Sequence, residues 1–508
     1  MRQQPNHSYA QILTSSVWMG GTSLITVLAA ILRTKVLAVF LGPAGIGLIG
    51  LLTSMTSMVG ALSGMGISTS GVLKIADAAG AGEEIRVART VRAVRQIVLW
   101  LGLLGALLLA LFCVPLSRLT FGTAEHAGKI ALLSLVIVFG AVAEGQMAVL
   151  QGLRRMSDLG KLTILSTTVS AVLTLPIVYF WPQHAVVALL LVASGAGMAS
   201  SWWYARRITI APVSIRWRDT VRDARPLVRL GLASMSAGLM VAAIAFVVRV
   251  VIVRYLGFEA AGIHQSATAL SGVYCGFILS AMATDFLPRV SSVARDDAVC
   301  NRLVNEQAEV GLLLAFPGIC ATLTFAPLLV QLLYSGTFGL AADVLRWQVL
   351  GVFLRVASWP MGYLLLAKGQ AKLYFWTEVS YNALHAALIW ICVQLWGLPG
   401  TGIAFFGLYV YYFLLMSVVT QRLSGFAWSI ANKRFALVAV PTLALVFACP
   451  MVLPSPWASI AATTTTTLVG LCSFRKLIVL AGRGGNQEVF ADHAGRLRGA
   501  GLTPTGVL

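Results

Sequence analysis

The chain has 508 residues, 58% of them hydrophobic and 11% charged, with a formal net charge of +19 and a mean hydropathy of +0.85. So apolar a composition excludes an ordinary soluble domain and describes a polytopic membrane protein. An excess of cations also marks nucleic-acid binders, but here the cations gather on alternate connections between apolar segments, which excludes that class.

In chain order, apolar segments fall near 11–40, 45–73, 96–117, 129–150, 162–181, 185–205, 227–256, 261–287, 308–334, 343–367, 373–396, 401–421, 435–453 and 456–474. A helix needs about 20 residues to cross the hydrocarbon core, and alternating strands of about ten residues are absent. The predicted fold is therefore all-α, with fourteen transmembrane helices. The first segment lacks the charged, apolar, then small pattern of a cleaved signal peptide and stays in the mature chain. Basic residues concentrate in 74–95, 154–161, 206–229, 289–302, at Lys368 and Lys372, in 422–434 and from 475 onward. The opposite connections 41–44, 181–184 and 397–400 carry no Lys or Arg, and only Arg118 and Lys129 are assigned to that far side. The positive-inside rule then places both ends in the cytoplasm. The 7 cysteines are scattered without a Cys-x-x-Cys pair and read as small apolar residues. The tail over 482–508 is glycine-rich and polar, the composition of a disordered cytoplasmic segment.

A shift of 215 residues lays the first two segments on the seventh and eighth: Phe40-Leu41-Gly42 on Tyr255-Leu256-Gly257, Gly47-Leu48 on Gly262-Ile263, and Lys74-Ile75-Ala76 on Arg289-Val290-Ser291. A tandem duplication accounts for this. Each half holds six spans, an even number, so the halves run the same way through the membrane as parallel repeats with a site expected at their interface. The expected organisation is a six-helix lobe over 1–215, a second over 216–430, two extra transmembrane helices over 431–481, and the tail.

The chemistry-bearing residues are the charges inside the spans, because a cation there costs roughly 2.5–3.5 kcal/mol on insertion scales. Arg33 and Lys35 lie in the first span, and Arg249 and Arg254 lie at similar depth in the seventh. Positions two apart point about 200° away from each other, so Arg33 and Lys35 cannot both face one point and at most one of each pair faces a central cavity squarely; the outermost members, Lys35 and Arg254, either join it or snorkel to the interface. Arg355 in the tenth span either lines a cavity or pairs with Glu378, whereas Arg346 has Asp343 three residues earlier for a local ion pair. Glu144, Asp285 and Glu378 are candidates for ion coupling or for partners to neighbouring cations. His264 and His385 read as helix-packing residues. Gly42-Pro43-Ala44-Gly45-Ile46-Gly47 has no phosphate-loop lysine and reads as a tight outer turn, while Gly60, Gly64, Gly66 and Gly71 give the second span small faces for close approach. Prolines at 176, 317, 327, 360 and 441 predict kinks. The sequence shows no metal-spaced His/Cys set, no nucleophile elbow and no paired catalytic carboxylates, so neither an enzyme, a metal nor a cofactor is expected.

From Lys35 to Leu48, and in the Gly/Ser/Thr/Met-rich span that follows, the chain resembles the bacterial O-antigen translocases, the polysaccharide-transporter branch of the superfamily that includes MATE exporters and the lipid II flippase. Gly152-Leu153-Arg154-Arg155 and Phe286-Leu287-Pro288-Arg289-Val290-Ser291 support the resemblance, which covers roughly 10–430. It implies a MATE-like pair of lobes and, as the function, flipping of an undecaprenyl-diphosphate-linked oligosaccharide (O-antigen, exopolysaccharide or a similar repeat unit) across the bacterial inner membrane. Lys35 falls at a family basic position. A polysaccharide polymerase and a chain-length regulator are the implied protein partners, beside membrane lipids. Two other classes remain in view: a drug or metabolite antiporter of the same fold, disfavoured by a cationic lining, and a membrane glycosyltransferase or polymerase, disfavoured by short outer loops.

Overall fold

The computed structural model describes residues 6–182, 184–208, 217–452 and 460–479, and every regular element among them is helical. In order these are α1 (Asn6–Gly64), α2 (Ile67–Gly80), α3 (Glu84–Leu111), α4 (Cys113–Phe121), α5 (Ala127–Gly152), α6 (Met156–Phe180), α7 (Ala185–Ala205), α8 (Trp217–Ser292), α9 (Asp297–Leu333), α10 (Ala341–Ala367), α11 (Ala371–Trp396), α12 (Pro399–Ser424) and α13 (Ile430–Val452), followed by α14 over 460–479. The expected tail over 482–508 lies outside the described residues.

Eleven helical stretches are long and apolar enough to cross a membrane. Two of them, Thr26–Gly64 and Gly238–Val273, run to 39 and 36 residues because each joins two expected spans across a single bent residue. Those residues are Gly42 (φ 62, ψ −170) and Gly257 (φ 84, ψ 179). This backbone region is closed to side chains with a Cβ, so glycine is obligatory there. Pro43 follows directly, where its missing N–H is no loss to a new helix. The expected outer turn is thus one residue of kink, and its repeat lies 215 residues on, as the sequence register requires.

The same register holds at the turn after α5. Arg154 has φ 55 and Gly369 has φ 70, and each sits in an identical pair of bonds: Arg154 N to Gln151 O and Arg155 N to Leu150 O on one side, Gly369 N to Leu366 O and Gln370 N to Leu365 O on the other. A non-glycine residue pays about 1–3 kcal/mol for such a conformation; in the first copy the next residue, Arg155, forms a local ion pair of 2.7 Å with Asp158.

Two boundaries differ from expectation. The second span, predicted as continuous over 45–73, breaks at Met65 (φ 47) and Gly66 (φ 64), and resumes as α2. The third, predicted over 96–117, starts at Glu84 and ends at Leu111, with the short α4 after it. Charged residues in the first turns of α3 hid its start from hydropathy.

The chain divides into two compact units. The first takes in Met1–Ser266, Val330–Ala341 and Asn382–Thr401; the second takes in Ala267–Leu329, Ala342–Tyr381 and Gly402–Leu508. In the first, α3 packs on α5, α5 on α7, and α1 on α6. Ile67, Ile75, Val91, Val94 and Val149 close one end of it as a buried cluster. In the second, Phe286, Val290, Val304, Leu365 and Met416 form a comparable cluster, and Val290 is the repeat partner of Ile75. There α14 docks on α9 through Thr324 and Thr466 (3.0 Å) and through Lys476 and Glu309 (2.7 Å). The threonine run at 463–467 returns hydroxyls to preceding carbonyls, as Thr464 does to Ile460 (2.6 Å), which lets polar residues sit in a helix without exposed donors.

Candidate functional site

Within the first unit, the two kinked hairpins meet backbone to backbone. A Cβ on Gly47 would fall 2.1 Å from Phe258 O, and one on Gly262 would fall 1.8 Å from Pro43 O. Gly47 and Gly262 are repeat partners, so this contact lies where the two copies face each other.

One helical turn along from Gly47, Gly50 passes under Arg249 and Gln265; a Cβ there would lie 3.2 Å from Gln265 Oε1 and 3.4 Å from Arg249 Nε. Arg249 donates from Nε (3.2 Å) and Nη2 (2.6 Å) to Gln265 Oε1, and from Nη1 to Ala245 O (3.0 Å). Both acceptors are neutral. The guanidinium is fixed in place by dipoles while its full charge stays uncompensated, the condition in which an anion gains most from charge-assisted bonds. His264 stands within electrostatic reach of Arg249 and of His385. Gln265 was not singled out by sequence reasoning; an amide inside an apolar span was the available signal.

Arg33 is half-buried, and its Nε is buried with no hydrogen-bond partner among the described residues. Lys35 and Arg254 are used differently. Lys35 Nζ donates to Gln331 O (2.9 Å) and Arg254 Nη2 to Arg118 O (2.9 Å), both at accessible positions. Of the four cations in the two repeated spans, Lys35 and Arg254 therefore reach backbone carbonyls of other helices at accessible positions, while Arg33 and Arg249 are part-buried.

The second unit holds a different polar group. Arg355 Cζ lies 5.9 Å over the ring of Tyr409 and does not pair with Glu378, which accepts instead from Tyr412 OH (3.2 Å). Tyr381 OH donates to Tyr409 OH (3.0 Å), and the rings of Tyr381 and Tyr412 are 5.1 Å apart. Nearby, Gln348 Nε2 donates to Thr268 Oγ1 (3.0 Å) and its Oε1 accepts from Ser271 Oγ (3.1 Å). These tyrosines were missed in the sequence, although a buried phenol needs a partner and a row of them in apolar spans is a signal. Arg346 lies 3.8 Å from Asp343 as a local pair. The Asp285 side chain lies outside the described residues.

Glu144 opens into a cavity of about 390 Å³ in the first unit, lined also by Ser57, Gly60, Ser68, Thr69 and Gly238. Glu144 and the cations are not brought together: the lining contains no Lys, Arg or His. Among the described residues, no set of three or more His, Cys, Asp or Glu side chains could hold a metal ion.

The lipid III flippase of Escherichia coli (strain K12) is 24% identical over 409 residues, which is 79% of this chain and 96% of that protein. Among solved structures, the lipid II flippase MurJ in an inward closed conformation superposes with a TM-score of 0.67 at 12% identity, over 92% of this chain and 100% of that one. The inward-facing conformation of a multidrug resistance MATE family transporter gives 0.66 at 15% identity, over 80% and 98%. At these identities the structures establish the fold, which is that of the MATE and MurJ proteins. Residues 36–342, more than half of the chain, match the family described as polysaccharide biosynthesis protein, and the chain belongs to that family.

Proposed function

We propose that the protein is a flippase that carries an oligosaccharide linked to undecaprenyl diphosphate from the cytoplasmic to the periplasmic leaflet of the bacterial inner membrane, with both chain ends cytoplasmic. The observation that carries the reading is Arg249, an intramembrane cation oriented by three hydrogen bonds to two neutral acceptors and by no carboxylate. A diphosphate leaving the headgroup region needs such charge, and a planar guanidinium matches phosphate oxygens in pairs. Arg33, with a free buried Nε, is the second contact. Lys35 and Arg254 guide the headgroup at the span ends, and Arg355 serves the second unit. The sugar crosses through water-accessible space while the polyprenyl tail stays in lipid, and binding shifts the population between inward and outward states. Similarity to the Escherichia coli lipid III flippase supports lipid-linked glycan transport rather than catalysis. The O-antigen or exopolysaccharide nature of the glycan, and a polymerase and chain-length regulator as partners, are part of the same proposal.

In a strain lacking its own flippase, Arg33→Ala and Arg249→Ala each abolish surface glycan while the protein remains in the membrane fraction. Glycan display at the wild-type level by both variants refutes the proposal.

A further inference from the structure

The cavity beside Glu144 has a composition unlike that of the cationic site. Its volume of about 390 Å³ falls within the range of small-molecule sites, about 300–1,000 Å³. Glu144 is its one charged residue. None of the side-chain hydrogen bonds among the described residues engages Ser57, Ser68, Thr69 or Glu144. The break at Met65 and Gly66 adds backbone donors: α2 starts at the cavity wall with Gly66 as its N-cap and no side-chain cap on its first turn. The rest of the lining is glycine together with small and apolar residues such as Ala61, Val98, Ile137 and Ala141. A Cβ on Gly60, Gly140 or Gly238 would meet nothing within 4 Å, so these positions keep space open rather than permit helix contact.

Such a lining holds free N–H donors, free hydroxyls and one carboxylate acceptor. A phosphate is repelled by Glu144 and finds no cation. A metal ion needs several oxygens converging at about 2.0–2.6 Å, which a cavity of this width with one carboxylate does not provide. A sugar satisfies both halves of the lining, because each hydroxyl donates and accepts at once.

We propose that this cavity is a saccharide subsite. A neutral or amino sugar of the transported glycan enters it, two of its hydroxyls donate to the Glu144 carboxylate, and its oxygens accept from α2 N–H groups and from Ser57, Ser68 and Thr69. A uronic acid is excluded there by like charge. The subsite is separate from the guanidiniums that meet the diphosphate, and it divides recognition of headgroup and glycan between different residues. The inference rests on the reading of the chain as a flippase of lipid-linked glycans.

The test is native mass spectrometry of the full chain in nanodiscs, titrated with two probes: undecaprenyl diphosphate, and the same lipid carrying a disaccharide of N-acetylglucosamine. Wild type binds the glycosylated lipid about tenfold more tightly, the gain from one or two hydrogen bonds to a charged acceptor. Gly60→Leu fills the cavity and removes that preference, leaving affinity for the sugar-free lipid unchanged; Gly140→Leu does the same from the facing helix should the first variant fail to fold. Glu144→Gln narrows the preference. Equal affinity of wild type for the two probes overturns the inference, as does a preference that survives all three substitutions. Glu144→Gln that loses ion-driven transport with the sugar preference intact reassigns Glu144 to coupling and also overturns it. Binding of neither lipid by wild type defeats the flippase reading itself, and the subsite with it.

Discussion

The cavity of the first unit and the tyrosine cluster of the second are both polar regions among apolar helices, yet they treat their polar atoms in opposite ways. In the cluster, Glu378 accepts from Tyr412 and Tyr409 accepts from Tyr381, while Arg355 lies against a ring. In the cavity, Glu144 and three hydroxyls have no partner among the described residues. Ser57, Thr69 and Glu144 are exposed, so their polar atoms are open to water or to a ligand, whereas the cluster pairs its buried polar groups within the protein, as buried polar groups generally require. The difference separates a pocket whose polar groups are open to a ligand from a cluster whose polar groups hold helices together.

That contrast can be broken most severely at Tyr409. It is a buried ring flanked by Phe405 and Tyr412 at 4.9 and 6.3 Å, so Tyr409→Ala destabilises the protein by about 3–5 kcal/mol. Gly60→Ala in the cavity wall does not lower stability. Thermal unfolding followed by tryptophan fluorescence in detergent reports both, and an equal loss from the two would erase the distinction. Next in size is Tyr412→Phe, which removes a hydrogen bond to a carboxylate and costs about 1.5–3 kcal/mol. Its counterpart Ser57→Ala leaves stability within about 0.5 kcal/mol while reducing glycan export.

The smallest effect concerns pH. His126, in the turn before α5, stacks on Phe121 at 4.4 Å and faces Phe258 at 6.3 Å. Burial first, and then Lys129, hold its imidazole below the ordinary value, with Glu125 opposing. The unfolded chain therefore takes up this proton before the folded one, so stability is full above about pH 6.5 and declines as pH falls below it. His126→Leu flattens the wild-type fall in unfolding temperature between about pH 7.5 and pH 5.5; parallel curves for the two proteins would remove this histidine from the account.

What could be read from the sequence was what has no chemical substitute. Gly42 and Gly257 announce their kinks because no other residue adopts that backbone, and the apolar spans announce themselves by length. Arg33 and Arg249 stand out because charge in hydrocarbon is costly. Met65 gave no warning of a broken helix, since a residue with a side chain reaches positive φ only under pressure from its surroundings. The cavity was equally silent. In a membrane protein, both the lipid face and the interior of a helix are apolar, so hydropathy cannot tell a wall from a lining. Its glycines were legible as small faces, and they serve as empty space.

The meeting of Gly47 with Gly262 has a consequence for heredity. On the axis of a symmetric dimer a residue meets its own copy, and here it meets its duplicate 215 positions away in one polypeptide. In a two-chain form of the repeat a single codon would govern both sides of that contact, and one mutation would alter both at once. The single chain gives each side its own codon but leaves no room for either to drift, because a methyl group on one would strike the backbone of the other. The two positions are bound to stay glycine together, as the two sides of a dimer axis would be, within one chain.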